Sequence, residues 1–359
     1  MASNSPSSQI DLGTHVEIDL LDEAGRAERM AFDLAPAKLA ESSSLFIIPR
    51  QMEQNPMTET TNRRRATSME EFRAIPRVST EEGRNDWKTF QPRPTDVFIT
   101  PYGKSGTTWL QQIVHGLRTR GDMDFDDISR VVPWLETSYD LGLDIHAEQK
   151  ANPRAFKSHM DWHDIPKGAR SIVSIRNPKD VLVSGYRFME GWWFEPGAIA
   201  IDEWARESFM NPEEGKGYWN HLISWWEQRE REDVFLLAYE QMKRDLPGTI
   251  RRVADFTGMP LDDELMEIVS RQSSFDFMLA HKDRFDDKLM RDRSERLSGL
   301  PPGSDSAKVR KGEVGEHRQE LSAEIIAGLD AIWQREVTPR FGFPHYEDLA
   351  AALAWDGKR

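Results

Sequence analysis

The amino-acid sequence predicts an α/β fold in three layers, a central, mostly parallel sheet flanked by helices. Two observations carry this. Short apolar runs bounded by turn residues alternate with stretches whose apolar residues recur at helical spacing, the pattern of strands covered on both faces. One of these runs, at 96–100, leads straight into a loop rich in glycine and hydroxyl residues and then into a helix.

Composition bounds the function. The 359 residues suffice for one large α/β domain or two small ones. A hydrophobic fraction of 38% suits a water-soluble globule, and no apolar run approaches the ~20 residues that a membrane-spanning helix needs. The N-terminus, Met1-Ala2-Ser3-Asn4-Ser5-Pro6, lacks the basic-then-apolar signature of a secretory signal. A cytoplasmic enzyme with no membrane partner is expected. The absence of cysteine excludes a disulfide framework, thiolate metal sites and a cysteine nucleophile. A net charge of −14 argues against nucleic acid as a partner. An anionic ligand therefore needs basic residues gathered locally.

The elements follow in order. Residues 16–20 and 30–34 alternate apolar and polar, and 23–26 can turn a hairpin between them. Residues 51–68 are polar, with the run Arg63-Arg64-Arg65, and read as a flexible linker rather than an interaction site. The main domain begins near Glu70. Its first buried strand is 96–100, followed by a helix marked by Trp109, Leu110, Ile113, Val114 and Leu117. Further strands are expected at 155–159, 171–175 and 233–239. No internal repeat is visible.

A triphosphatase P-loop is Gly, four residues, then Gly-Lys-Ser/Thr. Here Gly103-Lys104-Ser105 supplies the second half, but position 98 holds Phe98 instead of glycine. The hydroxyl and small residues Ser105, Gly106, Thr107 and Thr108 come after the lysine. This is a phosphate-cradling loop of another register, with backbone amides at a helix start and Lys104 reaching along the ligand. Alone, the loop also fits an ordinary turn with a helix cap.

Two later segments narrow the reading. They are Arg176-Asn177-Pro178-Lys179-Asp180-Val181-Leu182-Val183-Ser184 and Arg310-Lys311-Gly312-Glu313-Val314-Gly315-Glu316-His317. With Gly103-Lys104-Ser105-Gly106-Thr107-Thr108-Trp109, and over about residues 75–320, the chain resembles the sulfotransferases that use 3′-phosphoadenosine 5′-phosphosulfate (PAPS). The likeness is to the cytosolic, small-molecule type. It implies a P-loop-like three-layer domain over 71–359, behind an N-terminal extension over 1–70 that has no counterpart in the family. It also implies sulfuryl transfer from PAPS as co-substrate to a hydroxyl of a small-molecule acceptor, a phenol or alcohol.

The resemblance assigns roles that the residue types suit. Ser105, Gly106, Thr107 and Thr108 would hold the donor's 5′ end. Ser184 lies about two helical turns beyond Arg176; a guanidinium and a hydroxyl there suit one dianionic group, the 3′-phosphate by resemblance. Arg310, Lys311 and Gly312 would close over it, with Gly312 letting the backbone approach. The blander reading of Asn177-Pro178 is a helix cap with proline at the first position, and both readings hold together. Trp109 would face the adenine, Tyr239 would touch the donor, and Ser273 and Phe275 the purine.

Phe156-Lys157-Ser158-His159 resembles the strand end where the family's histidine acts as base. Imidazole suits that task near neutral pH. Lys157 and Lys104 would stabilise charge on the leaving oxygen. The transferred group carries less charge than a phosphoryl group, so no metal is expected. His163 is a rival base, and His115 reads as structural. Among the many tryptophans, core packing is the default; Trp192, Trp193 and Phe194 are also candidates to wall the acceptor pocket.

The chain departs from the family at Gly103 (usually proline), Lys308 (usually aromatic), Glu316 (usually aspartate) and His317 (usually tryptophan). The short dimer-forming signature of vertebrate members is not recognisable between Glu316 and Glu336, which leaves the oligomeric state open. The rival functions are a donor-binding, sulfotransferase-like protein without turnover and a P-loop kinase.

Overall fold

The computed structural model describes two strands, β1 (His15–Leu21) and β2 (Ala27–Asp33), and residues 63–354 apart from 77, 212–215 and 307. The chain divides into two compact units, 1–59 and 60–359. In the first, β1 and β2 pair antiparallel, from His15 opposite Asp33 to Leu21 opposite Ala27. Most of the expected linker lies outside the described residues. Its end is described: Ala66 bridges to Phe194, and Ala66 and Met69 are buried in the core of the larger unit.

The larger unit is built on a four-stranded parallel sheet. Its strands are β3 (Val97–Ile99), β4 (Ala155–Lys157), β5 (Arg170–Ile175) and β6 (Val234–Ala238), in the spatial order β4-β3-β5-β6. Parallel strands need crossovers, and helices supply them. Alternation along each strand sends neighbours to opposite faces. Val97, Ile99, Ala155, Ile172 and Leu237 enter one apolar cluster, while Phe98, Phe156, Val173 and Leu236 enter the other. That two-sided burial is why the strands read as unbroken apolar runs.

The first face is covered by α1 (Thr107–Thr119), α5 (Leu246–Thr257) and α6 (Asp263–Gln272), through Leu110, Ile113, Val114, Val253 and Val269. The second is covered by α2 (Pro178–Trp192), α3 (Tyr218–Trp226) and α9 (Ala323–Glu336), through Leu182, Trp225, Leu329 and Trp333. Each such apolar side chain contributes about 1.5–3 kcal/mol. The expected three layers are present. Among the described residues, no helix is long and apolar enough to cross a membrane.

One ion pair ties the sheet's first two strands at their starts. Asp96, wholly buried, receives the Arg154 guanidinium as a fork, Nε to Oδ1 at 3.0 Å and Nη2 to Oδ2 at 2.6 Å. The opposite, carboxyl ends of β3, β4, β5 and β6 carry Thr100, Ser158, Arg176 and Tyr239. Parallel α/β sheets bind ligands at that edge.

Candidate active site

The loop after β3 is set by two left-handed residues, Lys104 (φ 68°) and Gly106 (φ 100°), and not by Gly103. Gly106 needs its missing side chain: a Cβ there would lie 3.0 Å from Tyr239 Cδ2 and 3.3 Å from Ser174 Oγ. The turn ends at the N-terminus of α1, where no side chain caps the first amides, so they remain available to an anion. Ser105 faces inward, its carbonyl accepting the Ser174 hydroxyl. Thr107, Thr108 and Trp109 line the cavity above.

Tyr239 ends no strand: it opens α4 (Tyr239–Arg244), one residue past β6. Its ring lies 4.4 Å from the Arg176 guanidinium. Arg176 donates to the Lys104 and Glu313 carbonyls, each at 3.0 Å. It thereby fastens the first signature loop to the third. The Trp109 indole donates to the Ser273 carbonyl at 2.7 Å. Gly312, at φ 60°, brings its backbone against Phe275, where a Cβ would sit 3.1 Å from Cδ2. Phe275 opens α7 (Phe275–Ala280) and is 40% exposed. Asp180 of α2 holds the third signature from below, accepting the Gly315 amide at 2.8 Å and facing His317 Nδ1 at 2.6 Å.

Arg310 and Lys311 are engaged by a neighbour. Glu316 accepts Arg310 Nη1 at 2.8 Å, takes a second bond from Nη2, and meets Lys311 Nζ at 3.1 Å. Burial works to raise the Glu316 carboxyl, but those two cations outweigh it and hold it below the usual carboxylate range. Among the buried polar atoms nearby that make no hydrogen bond with any described residue are Ser105 Oγ, Thr107 Oγ1, Arg176 Nε and Ser273 Oγ. Buried polar groups are normally paired, and these are donors, the chemistry that a phosphorylated nucleotide completes.

Lys104, Lys157 and His159 line the same cavity. His159 Nδ1 lies 2.7 Å from the Pro101 carbonyl oxygen, which only accepts, so Nδ1 carries the hydrogen and Nε2 keeps a free lone pair. The His159 amide donates to Glu136 Oε1 at 2.7 Å, fixing its backbone. Burial, then the charge of Lys157, pushes the imidazole down to about 3, so it is neutral at physiological pH. Burial, aided by the nearby Lys308, pushes Lys104 down to about 7. Burial likewise lowers Lys157 to about 8, against the opposing pull of Asp287.

The cavity that joins these groups measures about 660 Å³. Of the candidate site residues, Lys104, Gly106, Thr107, Thr108, Trp109, Lys157, His159, Arg176, Ser184, Tyr239, Ser273, Phe275, Arg310, Lys311 and Gly312 all line it; Ser105 lies just beneath. His163 is exposed and stands apart, and His115 is wholly buried within α1. The apolar side chains of Tyr102, Trp134, Phe188, Trp204 and Phe209 also line this cavity, Trp134 against His159 and Phe188 beneath Lys104. Trp192, Trp193 and Phe194 do not. Trp192 is buried against Met290 and Leu300, and Phe194 sits in the main core, because the end of α2 turns its aromatic face inward.

Comparison with known proteins settles the family. The family profile for the sulfotransferase domain matches residues 94–349. The chain belongs to the sulfotransferase family. It is 31% identical to rat sulfotransferase 2A1 over 74% of this chain and 92% of that protein. It is 28% identical to rat sulfotransferase 1C2, over 76% and 94%. Two solved structures share the fold at 20% identity. A retinol dehydratase in complex with androsterone and inactive cofactor PAP has a TM-score of 0.59 and covers 74% of this chain and 87% of its own. The mouse sulfotransferase SULT7A1 complexed with PAP has a TM-score of 0.57, covering 77% and 94%.

This sulfotransferase also places residues at its site that its sequence does not announce. Trp134 stacks edge-on to His159 at 5.2 Å and lies 3.7 Å beneath Lys157 Nζ. Asp287 and Lys308 meet Lys157 in the same corner. No local pattern marks any of them, because their partners come from distant parts of the chain. The one signal was the lysine at 308 where an aromatic residue is usual.

Proposed function

We propose that the chain transfers the sulfuryl group of PAPS to the hydroxyl of a small apolar phenol or alcohol, with His159 as base. The observation that carries this reading is the 2.7 Å contact of His159 Nδ1 with the Pro101 carbonyl oxygen: an acceptor there commits the Nδ1–H and leaves Nε2 as the free nitrogen in a cavity also lined by two lysines. The acceptor oxygen attacks sulfur as its proton passes to Nε2. The bond from sulfur to the 5′-phosphate oxygen breaks, and 3′-phosphoadenosine 5′-phosphate leaves. Lys104 and Lys157 meet the charge that builds on the leaving oxygen. The signature-loop amides with Thr107 and Thr108 hold the 5′ end, and Arg176, Ser184, Arg310 and Lys311 the 3′-phosphate. Trp109, Ser273 and Phe275 surround the purine, while Gly312 lets the loop close over it. The retinol dehydratase that shares the fold is described in complex with androsterone and inactive cofactor PAP.

The test is transfer of label from radioactive PAPS to a panel of phenols, aliphatic and steroidal alcohols and amines. Labelled product from hydroxyl acceptors is expected, with His159→Ala lowering kcat by about 10²–10⁴-fold while binding of the bisphosphate product is kept. Donor binding with no labelled acceptor would leave a nucleotide-binding protein without turnover. Unchanged kcat in His159→Ala would remove the histidine from the mechanism.

A further inference from the structure

Asp287 precedes the helix α8 (Lys288–Leu297) and puts a carboxylate into the corner where transfer would occur. It is 4% exposed and has φ 48°, a left-handed conformation that strains a residue with a side chain. Its two oxygens meet two ammonium groups unequally. Oδ2 is in direct contact with Lys308 Nζ, while Oδ1 faces Lys157 Nζ at 3.7 Å, too long for a hydrogen bond. Lys157 rests instead over the Trp134 ring, an attraction that uses no directed N–H bond.

The charges explain why Asp287 and Lys308 belong together. Lys308 adds one positive charge and Asp287 one negative, so the pair leaves the net charge set by Lys104 and Lys157 unchanged. Either alone upsets it. With Asp287 and no Lys308, the buried carboxylate has only Lys157 to neutralise it and would draw that ammonium into a direct ion pair. With Lys308 and no Asp287, a third ammonium would stand beside two already disfavoured by burial.

We propose that Lys308 is a positioning residue that occupies Asp287, so that Lys157 stays free to bind the group being transferred. The inference rests on the sulfuryl-transfer reading above for its meaning, but the ion-pair exchange is measurable without turnover.

The experiment compares Lys308→Met, Asp287→Asn and the double variant with the wild-type chain. One arm measures kcat and donor KM with labelled PAPS. The other follows trace acetylation of Lys157 by acetic anhydride, read by mass spectrometry from neutral to alkaline pH. Lys308→Met should lose about tenfold in kcat, the scale of coupling between neighbours in one network, with donor KM altered less. Its Lys157 labelling profile should move to higher pH. The double variant should return both towards wild type. A Lys308→Met chain with wild-type kcat and unshifted labelling overturns the proposal, and so does a double variant whose losses simply multiply. If the wild-type chain transfers no label, the transfer reading fails, and the acetylation arm still decides whether Lys308 keeps Asp287 from Lys157.

Discussion

Glu316 grips the Arg310 guanidinium with both carboxylate oxygens, Oε1 receiving Nη1 at 2.8 Å. The family's aspartate at this position is one methylene shorter. The same carboxylate reaches Lys311, so the two cations proposed to close over the 3′-phosphate already share one internal anion, which offsets half of their charge. A phosphate must compete with Glu316 or share the cations with it, and like charges brought together disfavour both. Replacing Glu316 with Gln should tighten binding of 3′,5′-bisphosphoadenosine by about three- to tenfold, as expected for removing one partly screened repulsion. Calorimetry reads this directly. Weaker binding would mean that Glu316 instead holds Arg310 in its binding geometry.

The two lysines give a pH dependence whose sign is fixed. Lys104, lowered to about 7, and Lys157, lowered to about 8, both lose their charge in the free enzyme as pH rises through that range. Donor capture, kcat/KM for PAPS, should therefore fall with rising pH between neutrality and mild alkalinity. His159, held near 3, is neutral throughout and contributes no limb near pH 7. A bound anion raises both lysines, so kcat should stay flat to higher pH than kcat/KM. A kcat/KM profile that instead climbs through about 6.5, the ordinary titration of histidine, would contradict this electrostatic picture.

The sheet was legible because its strands are buried on both faces and therefore read as apolar runs; 96–100 and 171–175 predicted β3 and β5 to within two residues at each end. In the N-terminal pair, β1 overlaps the alternation at 16–20, whereas β2 begins at Ala27, three residues ahead of the alternation at 30–34. Boundaries were harder. Tyr239 continues the apolar run of β6 but opens a helix, since hydropathy does not see the turn from extended to helical backbone at Ala238. Apolar runs also hide direction. Trp192 and Phe194 signal burial, but only the fold shows that they pack into the core and that Trp204 and Phe209 from a later segment line the cavity. The corner of Lys157, Asp287 and Lys308 was illegible for a third reason. It is a long-range charge network, and nothing around Asp287 encodes the ammonium groups that meet it.

Gly106 is the tightest point of the phosphate loop. Its φ of 100° disfavours any side chain, and a Cβ would press on the Tyr239 ring at 3.0 Å and on Ser174 Oγ at 3.3 Å. Strain of this kind amounts to about 1–3 kcal/mol. Gly106→Ala should therefore lower stability by about that amount and weaken the bisphosphate by more than tenfold, because relief requires moving the α1 amides or Tyr239. Melting temperature and calorimetric affinity together check it. Retention of both would show that the loop relaxes without disturbing its anion-facing amides.

The Arg154–Asp96 pair offers a stability test far from the proposed chemistry. Asp96 also accepts the Arg93 amide at 2.8 Å, so its carboxylate satisfies three donors at the strand starts with no exposure to water. Removing one partner strands the other: Arg154, 4% exposed, would keep its charge with no counter-ion. Asp96→Ala should destabilise the fold by about 3–5 kcal/mol, the usual penalty for breaking a buried pair. An Asp96→Ala/Arg154→Met double variant, which buries no lone charge, should recover part of that loss. Urea denaturation of the three chains gives the coupling energy. Equal stability of Asp96→Ala and wild type would mean that water reaches Arg154 and that the pair contributes nothing to tying β3 to β4.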